Sequence, residues 1–522
     1  MRQPLRAKGI ARGQTTTVAS IPAPLGGWNS RDGLADMPPT DAVVLDNWMP
    51  KTAFVEIRGG YTAHATGMTG TGKTLATYNT MAGTRQLFCV TASGVYNVTS
   101  AGAVGASLAA RTDGKHQQAM FGDGTNNYLI LVNGVDNPLY YDGTTWTAVG
   151  STGPLSLSGI PSTDEIIGVN VFKGRLFFIQ RNSLSFWYAT AGSASGLLQE
   201  FDLAPECKCG GYLVAMGTQS RDGGSGQDDT AVFLTSEGEV IVYEGTNPSS
   251  SAAWSKVGSF FVGRPLGRRS VTQFGGDMVI VTENGTYPLS AALLEASIDY
   301  KAALSFKIET SFTAAARLYG ANFGWEATIF PAQSAMIVNI PLVENGEHEQ
   351  YVMNTITKAW CRFTDWNAET FAVMNGTLYF TSGTSVVKAW DGTSDGGANI
   401  EAYGKQAFNY FGTRSAVKKM KLFRPSLIAN GTNLAFSADV DVDFSDSELP
   451  QPASYTNPTG AVWDTSSWDV GFWAAGLEVI KQWTTPGRFD GYCIAGKVKV
   501  VTNALTIQWT ASDFAYERGG IL

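Results

Sequence analysis

The chain has 522 residues, enough for two or three domains that each bury a core of their own. Only 16% are charged and 59 are Gly, with Asn, Thr and Ser clustered between apolar runs; this is the composition of many strands and many turns, and it excludes a helical bundle or a disordered polyampholyte. The net charge of −8 conceals a basic start, because residues 1 to 31 hold Arg2, Arg6, Lys8, Arg12 and Arg31 and no acid, and −8 less these five positive charges leaves −13 on the rest.

That first segment also carries Pro4, Pro22, Pro24 and the polar run Gln14-Thr15-Thr16-Thr17. It offers too little apolar surface to fold alone and reads as an extended arm, residues 1–31, that orders on an acidic partner. Arg2, Arg6, Lys8 and Arg12 are its candidate interface residues. No apolar segment follows these cations and no run approaches the roughly 18 residues that cross a bilayer, so neither a secretion signal nor a membrane span is expected.

Residues 67–74, GMTGTGKT, fit G-x-x-x-x-G-K-[ST] through Gly67, Gly72, Lys73 and Thr74. A phosphate-binding loop needs a buried parallel strand before it and a helix N-terminus after it. Here RGGYTAHAT precedes and TLATYNTMAGTRQLFCV follows, the second broken by a turn signal into two short strands. The match is therefore read as false, with Lys73 expected in a solvated loop leading into a strand, and no cofactor is assigned.

From there a strand, turn, strand unit recurs at 86–100, 127–143, 174–189, 230–245, 276–290 and 376–392, with turn centres at Gly94, Gly134, Asn182, Gly238, Gly285 and Gly383. Two further strand sets, ATIFPAQSAMIVNIPL and QYVMNTITKAWCRFTDW, fill the one double-length gap. A period of roughly 40 to 50 residues built from hairpins predicts a β-propeller, since one small sheet cannot bury its faces until neighbours stack around a ring. Six or seven blades are expected within a domain spanning 32–400. The segment 291–320 interrupts them: Leu294, Ile298, Ala302, Ile308, Phe312 and Ala316 follow helical spacing and predict a helical insertion.

Beyond residue 400 the strands lengthen, which predicts a β-sandwich-like domain over 401–522. Within it Trp463, Trp468, Trp473 and Trp483 cluster, and the first three are candidate interface residues. Asp439, Asp441 and Asp443 alternate along one strand face, which leaves open a hard cation or pairing with Lys418, Lys419, Lys421 and Arg424.

Catalytic patterns are absent from the sequence. Cys207-x-Cys209 lacks a second ligand pair, the five cysteines are odd in number and scattered, and His64, His116 and His348 have no nucleophile setting. YYDGTTW (140–146) falls one residue short of an Asp-box hairpin, and Arg264, Arg268 and Arg269 read as a solvated loop. No catalytic, cofactor or metal residues are assigned and the chain is read as a non-enzyme; a carbohydrate-binding or glycosidase-type propeller is the alternative, on the aromatic content of 11% and YYDGTTW.

PLGGWNSRDGLADMPPTDAVVLDNWMPKTAFVEIRGGY (24–61), LFCVTASGVYNVTSAG, NGVDNPLYYDGTTW and the closing YERGGIL resemble a family of tail proteins of short-tailed bacteriophages, the tail nozzle or tail-tube proteins. The resemblance implies a short helix ending in Leu45-Asp46-Asn47-Trp48, and a β-propeller subunit set in a homohexameric ring below a tail adaptor. It further implies a virion protein, assembled in the host cytoplasm, that gates the DNA-ejection channel. The partners implied are the adaptor, fibres or spikes, genomic DNA passing without specific binding, and the host envelope at ejection. An acidic wall suits such a conduit, because it cannot retain DNA by releasing counterions.

Overall fold

A computed structural model of the protein describes residues 16–80, 82–153, 155–222, 227–292, 300–431, 434–450, 452–455, 478–480, 482–488 and 490–521. They form two compact units, one of residues 28–31 and 58–400, the other of residues 401–522 with the segment up to 27 and 32–57. The boundary drawn from sequence at residue 32 thus shifts to 58. The reason is hydrogen bonding: Trp48–Pro50 pairs with Val55–Ile57, and Val55–Ile57 pairs with Ile507–Ile521 near the end of the chain.

The first unit is a seven-bladed β-propeller. Blade 1 comprises Thr74–Asn79, Arg85–Thr91 and Gly94–Asn97, and blade 2 comprises Gln117–Gly122, Asn127–Val132, Leu139–Tyr141 and Trp146–Ala148. Ile166–Phe172, Arg175–Gln180, Ser185–Tyr188 and Gln199–Asp202 make blade 3; Leu213–Asp222, Gln227–Thr235, Glu239–Gly245 and Trp254–Phe261 make blade 4. Blade 5 has three strands, Val271–Phe274, Asp277–Thr282 and Gly285–Pro288; blade 6 has four, Glu326–Phe330, Ala335–Pro341, His348–Asn354 and Trp360–Phe363. Blade 7 joins Phe371–Met374, Thr377–Ser382 and Ser385–Ala389 to Tyr61–Thr66, an antiparallel strand from the start of the unit. First strands neighbour one another in blade order and the seventh returns to the first, so the ring is closed. All six hairpin turn centres picked from the repeat take positive φ, Asn182 at 54° included; four lie between the second and third strands of a blade, and Gly94 and Gly285 open the third strand.

The core lies between blades rather than within them. Phe186 of blade 3 stacks on Phe233 of blade 4 at 4.4 Å between ring centroids, and Phe88 of blade 1 meets Tyr141 of blade 2 at 4.8 Å. Each such side chain, once removed from water, stabilises by about 1.5 to 3 kcal/mol, which a lone blade could not collect on both faces. The closure is also ionic. Arg58, just before the closing strand, donates to both carboxylate oxygens of Asp395 at 2.8 and 2.6 Å and to the Thr364 carbonyl at 2.8 Å, with both charged side chains buried.

Among the described residues the helical insertion is interrupted, with a short helix at Leu289–Ala292. A helix spans Glu309–Tyr319, preceded by single 3-10 turns at Tyr300–Ala302 and Phe306–Ile308; Ile308, Phe312 and Ala316 are buried, and Leu294 and Ile298 lie outside the described residues. Continuity is broken at Leu304 and Ser305, where the Leu304 amide donates to the Thr286 carbonyl and the Ser305 hydroxyl accepts from the Thr286 amide. These contacts occupy the edge of blade 5 that lacks a fourth strand. The Phe312 ring lies 6.1 Å from Trp325 and 6.4 Å from Tyr351.

The second unit is a two-sheet sandwich. In one sheet Ile507–Ile521 pairs with Ala416–Ala429 on one side and with Thr17–Pro22 and Val55–Ile57 on the other. The other sheet runs Asp41–Asp46, Ile400–Gln406, Ile494–Thr502, Leu434–Val442 and Ala453–Tyr455. The sheets meet closely, since a Cβ on Gly404 would lie 2.7 Å from the Trp509 ring. Two expectations are corrected here. Asp41–Asp46 is a strand where the resemblance implied a helix, which fits its β-branched Val43-Val44. Residues 17–22 of the supposed arm are a strand because a long C-terminal partner gives them the pairing they could not find alone. Arg2, Arg6, Lys8, Arg12, Trp463, Trp468 and Trp473 lie outside the described residues.

Candidate functional site

Blades place the onset of each first strand at one end of the propeller axis, and in five blades polar or charged residues at that onset or within two positions of it come together. These are Lys73 and Thr74 in blade 1, His116 in blade 2, Arg269 in blade 5, Glu326 in blade 6, and Glu369 and Thr370 in blade 7. Arg269 joins them. Its Nη1 donates to Glu326 Oε2 at 3.2 Å and to Thr370 Oγ1 at 3.0 Å; its Nη2 donates to the Lys73 carbonyl at 2.9 Å, Thr74 Oγ1 at 2.7 Å and the His116 carbonyl at 3.0 Å. One side chain thereby ties four other blades together across the axis. The Phe323 ring centroid is 4.9 Å from both the Arg269 guanidinium and Lys115 Nζ, near enough for cation–π attraction.

Lys73 is not solvated. It is buried, and its Nζ lies 2.5 Å from Glu369 Oε2, whose other neighbour is His348 Nε2 at 3.9 Å. Thr74 opens a strand, so no helix N-terminus faces Gly67 and Gly72, and the lysine that would reach a phosphate is directed at a carboxylate. Electrostatics follow from burial. Desolvation pushes the Glu326 carboxyl up despite Arg269, and it holds the imidazole of His348 below its ordinary value and that of His116 down at about 4. Both Glu326 oxygens are engaged, Oε1 by the Phe371 amide at 2.6 Å and Oε2 by Arg269 and Thr370. The cluster is a set of matched charges, Lys73 with Glu369 and Arg269 with Glu326. Beneath it a cavity of about 190 Å³ is lined by Leu75, Gln118, Thr272 and Thr328 from four of the first strands.

The other sequence candidates resolve separately. Asp441 sits between Lys405 Nζ at 2.7 Å and Lys497 Nζ at 2.9 Å, which depress its pKa even against burial; two ammonium groups take the place of a hard cation. Of the cations expected to serve it, Arg424 pairs with Asp513, Lys421 with Glu517, and Lys418 donates to the Thr413 and Tyr492 carbonyls. Asp439 accepts from the Gly487 amide and Asp443 from the Tyr492 amide. Cys207 and Cys209 are free thiols, with Cys207 pushed up to about 11 by burial, and no metal-binding group of His, Cys, Asp or Glu occurs among the described residues. YYDGTTW is the last hairpin of blade 2: Asp142 Oδ1 accepts from the Thr144 and Thr145 amides, and Trp146 packs 5.0 Å from Phe88.

Sequence reasoning missed Arg269, Glu326 and Glu369, and it assigned Arg269 to a solvated loop. A signal existed in the repeat itself, because Lys73-Thr74, Arg269-Ser270, Glu326-Ala327 and Glu369-Thr370 hold equivalent places before or at the first strand of their blades.

No protein-family profile matches the chain and no curated protein matches it. Among solved structures, the likeness is to propellers. The Myceliophteria thermophila Cps50 (Swd1) β-propeller domain aligns at 10% identity over 63% of this chain and 98% of that one, with a TM-score of 0.39. The Neurospora crassa Pan2 WD40 domain gives 9%, 63%, 95% and 0.36, and BBS1N in complex with ARL6DN gives 10%, 64%, 98% and 0.37. At such scores the likeness carries no argument, and the seven-bladed architecture stands on the strand pairing described above.

Proposed function

We propose that this chain is a structural subunit of the tail of a short-tailed bacteriophage, one of six in a nozzle ring that continues and gates the DNA-ejection channel below the adaptor. The observation that carries this reading is where the residues of the resemblance fall: they make close joints within each unit. The Gly26 amide donates to the Thr40 carbonyl at 2.8 Å. Asn47 adopts φ 58° and donates from its side chain to the Glu401 carbonyl at 2.8 Å. Arg58 clamps Asp395, and a Cβ on Gly60 would lie 1.9 Å from the Ser394 carbonyl oxygen. Residues occupied in such joints suit a scaffold.

The Arg269 cluster bears on the route of DNA. It occupies the axis of the propeller, so the conduit is the axis of the ring, between subunits. Light scattering and electron imaging of the protein with its adaptor test the proposal. A closed six-fold ring is expected; a monomer that stays monomeric with adaptor present overturns it, as does turnover of a glycan substrate by the purified chain.

A further inference from the structure

On the propeller face that carries the Arg269 cluster, blades 3, 4 and 5 line a second cavity of about 350 Å³. Two guanidinium groups reach it. Arg181 follows the second strand of blade 3, and Arg268 precedes the first strand of blade 5. Arg268 donates to the Asn133 carbonyl at 3.0 Å, and neither arginine has a carboxylate partner within ion-pair distance among the described residues. Such an arrangement is unfavourable as it stands, because two like charges share a partly desolvated mouth. Burial and the Arg181 charge both act to hold the Arg268 guanidinium below its ordinary value, with Asp113 and Tyr212 acting the other way. The remaining wall is mixed: Ile167, Val214 and Pro265 are apolar, and Tyr212, 42% exposed, stands at the rim.

We propose that this pocket binds a small organic acid, its carboxylate held between Arg181 and Arg268 and its carbon body against Ile167, Val214 and Pro265. Guanidinium forks match a planar carboxylate with paired hydrogen bonds, and the incoming negative charge relieves the repulsion between the two arginines. The volume is at the small end of ligand sites, which sets the size at that of a single sugar acid or amino acid. This inference does not rest on the tail reading, since the pocket lies within one subunit.

Calorimetric titration of the intact protein with galacturonate, citrate and inorganic phosphate tests it. Galacturonate or citrate is expected to bind with Kd of about 1 mM or tighter, and Arg181→Gln, which removes no side-chain hydrogen bond among the described residues, to weaken this at least about tenfold. Arg264→Gln is the control, because Arg264 pairs with Glu237 outside the pocket and should leave binding unchanged. Absence of binding by both organic acids overturns the proposal, and so does binding of phosphate alone or binding indifferent to Arg181→Gln.

Discussion

Lys73 shows how much one side chain's surroundings decide. Read as the lysine of a phosphate loop it would need to be free, yet it is one half of a buried ion pair with Glu369. Lys73→Ala would strand that carboxylate in a dry setting, so the expected loss is about 3 to 5 kcal/mol of stability, seen as a lower urea midpoint. Lys73→Ala with Glu369→Ala should recover part of the loss, because the double change removes both charges. His116 gives a pH signature. Its folded pKa of about 4 lies below the 6.5 of an unfolded chain, so between these values the unfolded state binds the extra proton. Stability therefore falls as pH drops from about 6.5 to about 4, by up to about 3 kcal/mol from this group. His116→Gln should flatten that part of the curve, which urea midpoints measured at pH 7 and at about pH 4.5 would show.

At the scale of elements, hairpins were legible in the sequence because turn chemistry is local: Gly94, Gly134, Gly238 and Gly383 announce a left-handed turn without reference to anything distant. What escaped was non-local. Neither the pairing of Thr17–Pro22 with the C-terminal strand nor the meeting of Arg269 with Lys73, Thr74 and Glu326 has any mark in a window of neighbouring residues. The same limit hid the ring closure, in which Tyr61–Thr66 completes blade 7. Arg58→Ala tests that closure. With Asp395 left buried and alone, about 3 to 5 kcal/mol should be lost, and amide exchange should quicken first in Tyr61–Thr66 and in Ser385–Ala389. Uniform acceleration over all seven blades would instead mean that the ring opens only as a whole.

For the whole molecule, the basic segment ahead of Thr17 and the acidic remainder predict docking between chains. Deleting residues 2–15 spares the strand Thr17–Pro22 and removes Arg2, Arg6, Lys8 and Arg12. The shortened protein is expected to release its ring neighbours or adaptor at lower salt than the intact chain, read by sedimentation across a salt series. Equal retention at every salt concentration would exclude the segment as a docking arm.

The interlaced sandwich also has a consequence in time. Thr17–Pro22 and Val55–Ile57 leave the ribosome early, but the strand they pair with, Ile507–Ile521, is made only after all seven blades. At about 5 to 20 residues per second, the early strands wait on the order of half a minute to a minute and a half for it. During that interval the propeller blades can form in order, each packing on the one before it and blade 7 closing on Tyr61–Thr66, while the sandwich stays unbuilt and its strand edges unpaired. A chain that ends prematurely can hold a nearly complete propeller and still lack the second unit altogether. The second unit thus waits on the arrival of Ile507–Ile521, whatever the state of the propeller.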